Sequence, residues 1–310
     1  GMRSMSLQDL GSAQPIPLFL SKFRAQYSSG TERDFHFLGF LLVSSCLGCA
    51  VVKLFFLGTG TSQGVPVIGC SCRTCVSSDP RDTRFRTHVH VEMGDLNIQI
   101  DAAPEFRIQA LKHSIPKVDL VVLTHGHSDH ILGMDDMRRY CDLRKGEALP
   151  VYTNDEGESR MRSIFGYAIG ERPKVPGYPA FLPQRMPEVL EVAGGVIRST
   201  VQSHGSFDTL GVVLEEVRSG RKLAYFTDCD SVSGEAVELA KGADVVVLDA
   251  LRMKSHRSHM SIKEAVAAAS RIGAKQTYLI HMTHEIEHAV VDASLPAGVN
   301  LAYDNLVVEV

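Results

Sequence analysis

"VVLTHGHSDHILGMDD", Val121 to Asp136, runs an apolar strand directly into three histidines and an aspartate. His125, His127, Asp129 and His130 fall within six residues. A solvated turn has no use for that set, whereas a metal site does. Imidazole and carboxylate ligands at this density suit zinc, manganese or iron. One tight turn cannot aim all four side chains at a single ion, so the pattern points to two. Two ions roughly 3.5–4 Å apart can grip the attacking and leaving oxygens of a displacement. Such a pair needs more ligands than these four.

Three further candidates each follow an apolar run. His204 follows "RSTVQS", Asp228 follows "LAYFT" and His281 follows "QTYLI". Polar residues just past strand ends can converge along one edge of a sandwich.

The surrounding pattern is strand-rich, with helices interspersed. Predicted strands are Lys53–Leu57, His88–Met93, Leu96–Asp101, Leu120–Thr124, Val151–Thr153, Val196–Gln202, Leu210–Val217, Leu223–Thr227, Asp244–Leu248, Gln276–Ile280 and Leu306–Val310. "GDLN" (Gly94–Asn97) reads as a hairpin turn. Predicted helices are Glu105–His113, His130–Cys141, Glu156–Phe165, Gly234–Lys241 and Ser261–Ile272. The last carries a capping box, Ser261 with Glu264, and a terminating Gly273. The Pro/Gly-rich stretch Glu171–Pro183 reads as a flap near a site.

The 310 residues are 44% hydrophobic and 22% charged, which fits a folded core that needs no disulfide staples. A net charge of −4 gives no footprint for nucleic acid or an anionic membrane. Seven cysteines, three of them in "CSCRTC" (Cys70, Cys72, Cys75), do not make a secreted disulfide framework. They point to a reducing, cytoplasmic setting and a thiolate metal site.

Residues 1–51 read as a poorly defined leader or extension, and 52–310 as one domain with no internal linker. Gly1 before Met2 reads as an added residue. Phe35–Val52 is apolar over 18 residues, barely enough to span a bilayer, and a membrane anchor is the minority reading.

"THGHSDH" followed by single His, Asp and His at strand ends resembles the metallo-β-lactamase superfamily. That resemblance implies an α/β fold, the αββα sandwich. It implies that His125, His127 and His204 hold one ion, that Asp129, His130 and His281 hold the other, and that Asp228 bridges them. Asp101, ending "LNIQID", matches an aspartate that supports the site by hydrogen bonds. "LGTGTSQGVPVIGCSCRTC", "IDAAPEFR", "GMDDMR", "SHMSIKEA" and "IHMTHEIEH" resemble a narrower group, the cyclic-phosphate phosphodiesterases of the carbon–phosphorus lyase pathway (PhnP type). The resemblance covers about Lys53 to Val310. It implies a closed structural zinc on Cys70, Cys72, Cys75 and His284.

The same resemblance makes His259 the general acid, oriented by Asp129, a metal ligand that would also serve catalysis. Without the family pattern, His256 and His259 could not be told apart. Arg252, Lys254 and Arg257 flank it as phosphate-binding candidates, and Arg138 is a weaker one. The implied activity is hydrolysis of a small cyclic or nucleotide-like phosphodiester by a hydroxide shared between two zinc or manganese ions. The implied partner is that small molecule, with no nucleic acid polymer and no membrane; a homodimer is left open. Two rivals share the superfamily: a tRNA 3′-processing endonuclease, and a non-catalytic coenzyme-biosynthesis member. His88 and His90 read as structural or surface residues, His288 as structural, Cys229 as a small buried hydrophobe, and "RDTRFR" (Arg81–Arg86) as a solvated loop.

Overall fold

In the computed structural model, which describes residues 52–310, the strands form two seven-stranded sheets. The readings made for residues 1–51 lie outside the described residues. One sheet runs β14 (Val307–Glu309), β1 (Val52–Gly58), β2 (His88–Met93), β3 (Leu96–Ile100), β4 (Leu120–Val122), β5 (Leu149–Thr153) and β6 (Phe181–Arg185). The other runs β13 (Val299–Leu301), β12 (Gln276–Ile280), β11 (Val245–Asp249), β10 (Lys222–Phe226), β9 (Phe207–Glu216), β8 (Gly195–His204) and β7 (Val189–Val192).

Period-two alternation sorts the side chains into three cores. Leu54 and Phe56 of β1 point between the sheets, while Leu57 points to a helical layer. On β4, Leu120 and Val122 face the other sheet, and Val121 faces the helices α1 (Phe106–Lys112), α3 (Arg138–Leu143) and α4 (Asp155–Ile164). On β11, Val245 and Val247 face inward, and Val246 and Leu248 pack on α5 (Gly234–Ala240) and α6 (Ile262–Ile272). Covering both faces is what allows "VVVL" to be apolar without a break. The result is the expected αββα sandwich.

The chain direction places the site. β3, β4, β5 and β6 are mutually parallel, as are β10, β11, β12 and β13. Ligand sites in such sheets lie beyond the carboxyl ends of the strands. Asp101 follows β3, His125 lies just past β4, Asp228 just past β10, Asp249 ends β11 and His281 follows β12. The two sheets touch at this edge, where the Leu210 N–H donates to the Thr124 carbonyl (3.0 Å).

Several expectations need correction. The predicted helix His130–Cys141 is broken into α2 (Ser128–Ile131), a 3-10 turn (Leu132–Met137) and α3. Gly133 is drawn onto the chain at Ala102–Ala103; its N–H reaches the Ala102 carbonyl at 2.8 Å, and a Cβ there would lie 1.9 Å from the Ala103 oxygen. The Glu171–Pro183 stretch ends in β6, an edge strand that tolerates Pro183. Its Ala180 contacts are with Cys141 on α3 and Leu149 on β5. β6, β7, β13 and the short α7 (His288–Asp292) were not anticipated. The Gly94–Asp95 turn, the capping box and the left-handed Gly273 (φ 65°) are as expected.

Candidate metal centre

Asp101, Asp228 and His281 all take left-handed backbone, with φ of 58°, 50° and 61°. Such conformations cost non-glycine residues on the order of 1–3 kcal/mol and gather at functional sites. Here each turns the chain sharply out of its strand, which keeps the side chain at the sheet edge.

The histidine and aspartate candidates gather into two groups. His125, His127 and His204 form one; Asp129, His130, Asp228 and His281 form the other, and within each group the donor atoms lie within 4.8 Å of one another. Asp228 Oδ2 stands between them, 3.8 Å from His125 Nε2 and 3.3 Å from both His130 Nε2 and His281 Nε2. Asp129 Oδ2 is 3.4 Å from His130 Nε2 and 3.8 Å from His281 Nε2.

The donor set fits two divalent ions on a further observation. Nε2 of His125, His130 and His281 are buried and have no hydrogen-bond partner. A buried polar atom left unpaired costs about 1–3 kcal/mol, so a ligand for these nitrogens is expected. The other ring nitrogen is engaged in His125, His130 and His204, as metal-binding imidazoles require, whereas His281 Nδ1 has no hydrogen-bond partner. His130 Nδ1 donates to Asp101 (2.7 Å), His204 Nδ1 to the Ser258 carbonyl (2.8 Å), and His125 Nδ1 contacts Thr124 Oγ1 (3.0 Å). Asp101 also accepts from the Thr124 N–H and hydroxyl, both at 2.8 Å. Burial, reinforced by His130, holds the His125 imidazole well below the usual histidine range and so keeps it neutral.

His259 stands beside the centre, one of its nitrogens within 4.8 Å of donor atoms of His204 and Asp228. Its ring stacks on His281, with centroids 4.7 Å apart. The orienting carboxylate is Asp249, not the expected Asp129: Asp249 Oδ1 lies 3.2 Å from His259 Nδ1, and Oδ2 accepts from the Met260 N–H at 2.8 Å. Asp249 reaches it because β11 and the loop carrying His259 run side by side. Asp249 ends an apolar strand just as Asp228 follows one, so the strand-end rule that found Asp228 could have found it. Glu156 was also missed. Its carboxylate accepts from the Gly126 N–H (2.9 Å), fixing the turn between His125 and His127.

Cys70, Cys72, Cys75 and His284, the set the family resemblance implies for a structural zinc, form a further group that could hold an ion. Cys70, Cys72 and Cys75 Sγ lie 3.3, 3.4 and 3.5 Å from His284 Nδ1. Zinc bonds of about 2.3 Å to sulfur and about 2.0–2.1 Å to nitrogen, at tetrahedral angles, give S···N edges of roughly 3.5 Å. A hydrogen bond from the Cys75 backbone pulls the Cys72 thiol down to about 6, and burial pushes Cys75 up to about 11. Three thiols this close resist full ionisation unless a cation joins them. "RDTRFR" is not a solvated loop throughout. Arg84 is fully buried, pairs with Asp82 (3.1 Å) and donates to the carbonyls of Thr283 (3.1 Å) and Ile286 (2.7 Å), bracing the loop of His284. His88, His90 and His288 are buried structural residues, and Cys229 is a buried thiol.

The arginines divide. Arg257 lines the mouth of the centre with His127, His204, Phe207 and Ser258, a cavity of about 520 Å³. Arg138 pairs instead with Asp135 and reaches the Gly177 carbonyl (3.4 Å). Arg252 folds onto its own loop, toward the carbonyls of Lys254 (3.3 Å) and Ser255 (3.4 Å).

Residues 96–282 match the family model of the β-lactamase superfamily domain. The chain belongs to the metallo-β-lactamase superfamily. Within it the chain belongs to the PhnP family. The crystal structure of a diphosphatase of that family is 36% identical, with a TM-score of 0.75 over 84% of this chain and 97% of that one. An octanoyltransferase of Porphyromonas gingivalis is 34% identical over 264 residues, 82% of this chain and 51% of that protein. The chain therefore spans about half the length of that relative. A coenzyme PQQ synthesis protein B of Rhodopseudomonas palustris is 26% identical over 233 residues, 64% of this chain and 73% of that protein. Among the described residues, no helix is long and apolar enough to cross a membrane.

Proposed function

We propose that this chain is a dinuclear metal-dependent phosphodiesterase acting on a small cyclic or nucleotide-like phosphodiester. The observation that carries the reading is His259. An imidazole oriented by a buried carboxylate stands at the rim of a seven-residue His/Asp cluster, where a leaving oxygen needs a proton. Metal binding alone has no need of that acid.

His125, His127 and His204 would hold one zinc or manganese ion, Asp129, His130 and His281 the other, with Asp228 shared. Ions bound there supply an activated water, with a pKa lowered toward about 7, and stabilise charge on the phosphoryl oxygens. His259 Nε2 donates a proton to the departing alkoxide. Asp249 keeps the proton of His259 Nδ1 in place and so points Nε2 at the substrate. Arg257 meets the phosphate at the mouth. Cys70, Cys72, Cys75 and His284 would hold a structural zinc that ties the loop after β1 to the loop after β12. The partner is a small molecule rather than a nucleic acid polymer or a membrane, in a reducing cytoplasm.

The family diphosphatase favours a second reading, cleavage of a phosphoanhydride at the same site. The test is hydrolysis of bis-p-nitrophenyl phosphate, a nucleoside 2′,3′-cyclic phosphate and a nucleoside diphosphate by zinc- or manganese-loaded protein. Turnover of the diesters supports the first reading. Turnover of the diphosphate alone replaces it with the second.

A further inference from the structure

Phe207 is 46% exposed, a large apolar surface for a residue beside a buried metal cluster. Its ring stands nearly perpendicular to that of His127, with centroids 5.3 Å apart and an interplanar angle of 78°. It is held there by register. His204 and Phe207 are cross-strand partners on β8 and β9, separated by the two-residue turn Gly205–Ser206. Directly opposed residues of a hairpin put their side chains on one face, so Phe207 shares the face of a metal-ligand candidate. The turn is fixed in turn by its neighbours: Gly205 has φ of 67°, and a Cβ there would lie 3.0 Å from Ser258 Cβ. The mouth thus has a rigid aromatic wall and, in Arg257, a cation.

We propose that Phe207 is a stacking platform for a planar base, so that the diester this site prefers carries a nucleobase rather than a bare sugar or polyol. The inference rests on the phosphodiesterase reading. A phosphate drawn to the metal cluster and Arg257 leaves its substituent beside the exposed part of the Phe207 ring. Every nucleobase offers a π-face to such a ring, and a flat ring in a largely pre-formed site orders little on binding. If Phe207 served only to hold His127, its loss would impair every substrate alike.

The test compares wild type, Phe207→Ala and Phe207→Tyr, each loaded with manganese and assayed for metal content. The substrates are adenosine 2′,3′-cyclic phosphate and glycerol 1,2-cyclic phosphate. Phe207→Ala is expected to raise KM for the adenosine diester roughly tenfold, the scale of one base-stacking contact. Its kcat, its metal content and its kinetics on the glycerol diester stay within about twofold of wild type, and Phe207→Tyr restores the adenosine KM. Equal losses on both substrates, or no change on either, overturn the proposal. Calorimetric binding of adenosine monophosphate and of glycerol phosphate separates this from failure of the phosphodiesterase reading. If wild type turns over neither diester, a preference for adenosine monophosphate that Phe207→Ala abolishes still supports the platform, and equal affinity for the two overturns it.

Discussion

Asp249 Oδ1 lies 3.2 Å from His259 Nδ1 and 3.5 Å from His281 Nδ1, so one buried carboxylate serves both the acid candidate and a metal-ligand candidate. The two imidazoles stack 4.7 Å apart with 11° between their planes; Asp249 hydrogen-bonds His259 and lies close to His281 without a hydrogen bond to it. A general acid contributes about 10²–10⁴ in rate. His259→Ala is therefore expected to lower kcat on an alkyl diester by that factor with metal content intact. The loss should shrink on bis-p-nitrophenyl phosphate, whose leaving group needs little protonation. Asp249→Asn should cost about 10–100-fold, the usual scale for a group that orients a site imidazole. Wild-type rates in His259→Ala on both substrates would remove it from the mechanism.

Asp101 touches no ion in this scheme, yet it gathers three donors: the Thr124 N–H, the Thr124 hydroxyl and His130 Nδ1. An asparagine at this position presents an NH₂ group to one of those donors. Asp101→Asn should weaken metal binding about 10–100-fold, read by competition with a chromogenic chelator. Activity should recover when the metal is raised to saturation. Loss of activity that saturating metal does not restore would show that Asp101 does more than hold His130.

How much of this was legible in the sequence follows from which signals are local. The cluster from His125 to His130 and the alternating strands stand in consecutive residues, and the structure keeps both. Asp249's place at a strand end was legible, but its pairing with His259 was not, because that partner is ten residues on and the contact depends on β11 lying beside the 250–260 loop. The broken helix after His130 was not legible either. Its apolar spacing is helical, but the Gly133 N–H is drawn to the Ala102 carbonyl instead of a partner within a continuous helix. Arg84 looked solvated because its counter-charge Asp82 is near in sequence but its carbonyl partners, on Thr283 and Ile286, are not. The edge strand β6 contains Pro183, which weakens the strand signal, and β7 has only four residues, too few to show a clear alternation.

The arginines give a discriminating experiment. Arg257 lines the mouth, whereas Arg138 and Arg252 are occupied elsewhere. Arg257→Ala should raise KM for a phosphodiester about tenfold, the size of one charge-assisted contact. Arg138→Ala and Arg252→Ala should leave KM within about twofold, as surface pairs contribute little. An Arg138→Ala protein with the larger defect would reverse this ranking.

Metal analysis separates the two centres. Close to three ions per chain are expected: two that leave under mild chelation along with activity, and one that resists. A closed site of three thiolates and one imidazole exchanges less readily than an open one. Cys72→Ser should release the resistant zinc. It should also lower Tm, by about 2–4 °C for each kcal/mol of stability the site contributes. Two ions in the wild type and an unchanged Tm in Cys72→Ser would remove the structural zinc.

Acid stability tests the buried histidines outside the centre. His88 and His90 are fully enclosed, and burial pulls each down to about 4. The unfolded chain binds their protons near pH 6.5 and the folded chain only near pH 4. Their neutral forms therefore favour the fold fully above pH 6.5, and that stability is lost as pH falls from 6.5 toward 4. By pH 5 the linkage amounts to about 2 kcal/mol for each residue. Urea midpoints at pH 7 and pH 5 should differ accordingly. His90→Gln keeps a polar group near Asn97 and Gln99 while removing the titration, so it should shrink the difference by up to half. A midpoint gap that His90→Gln leaves unchanged would mean that this buried imidazole does not set the acid limit.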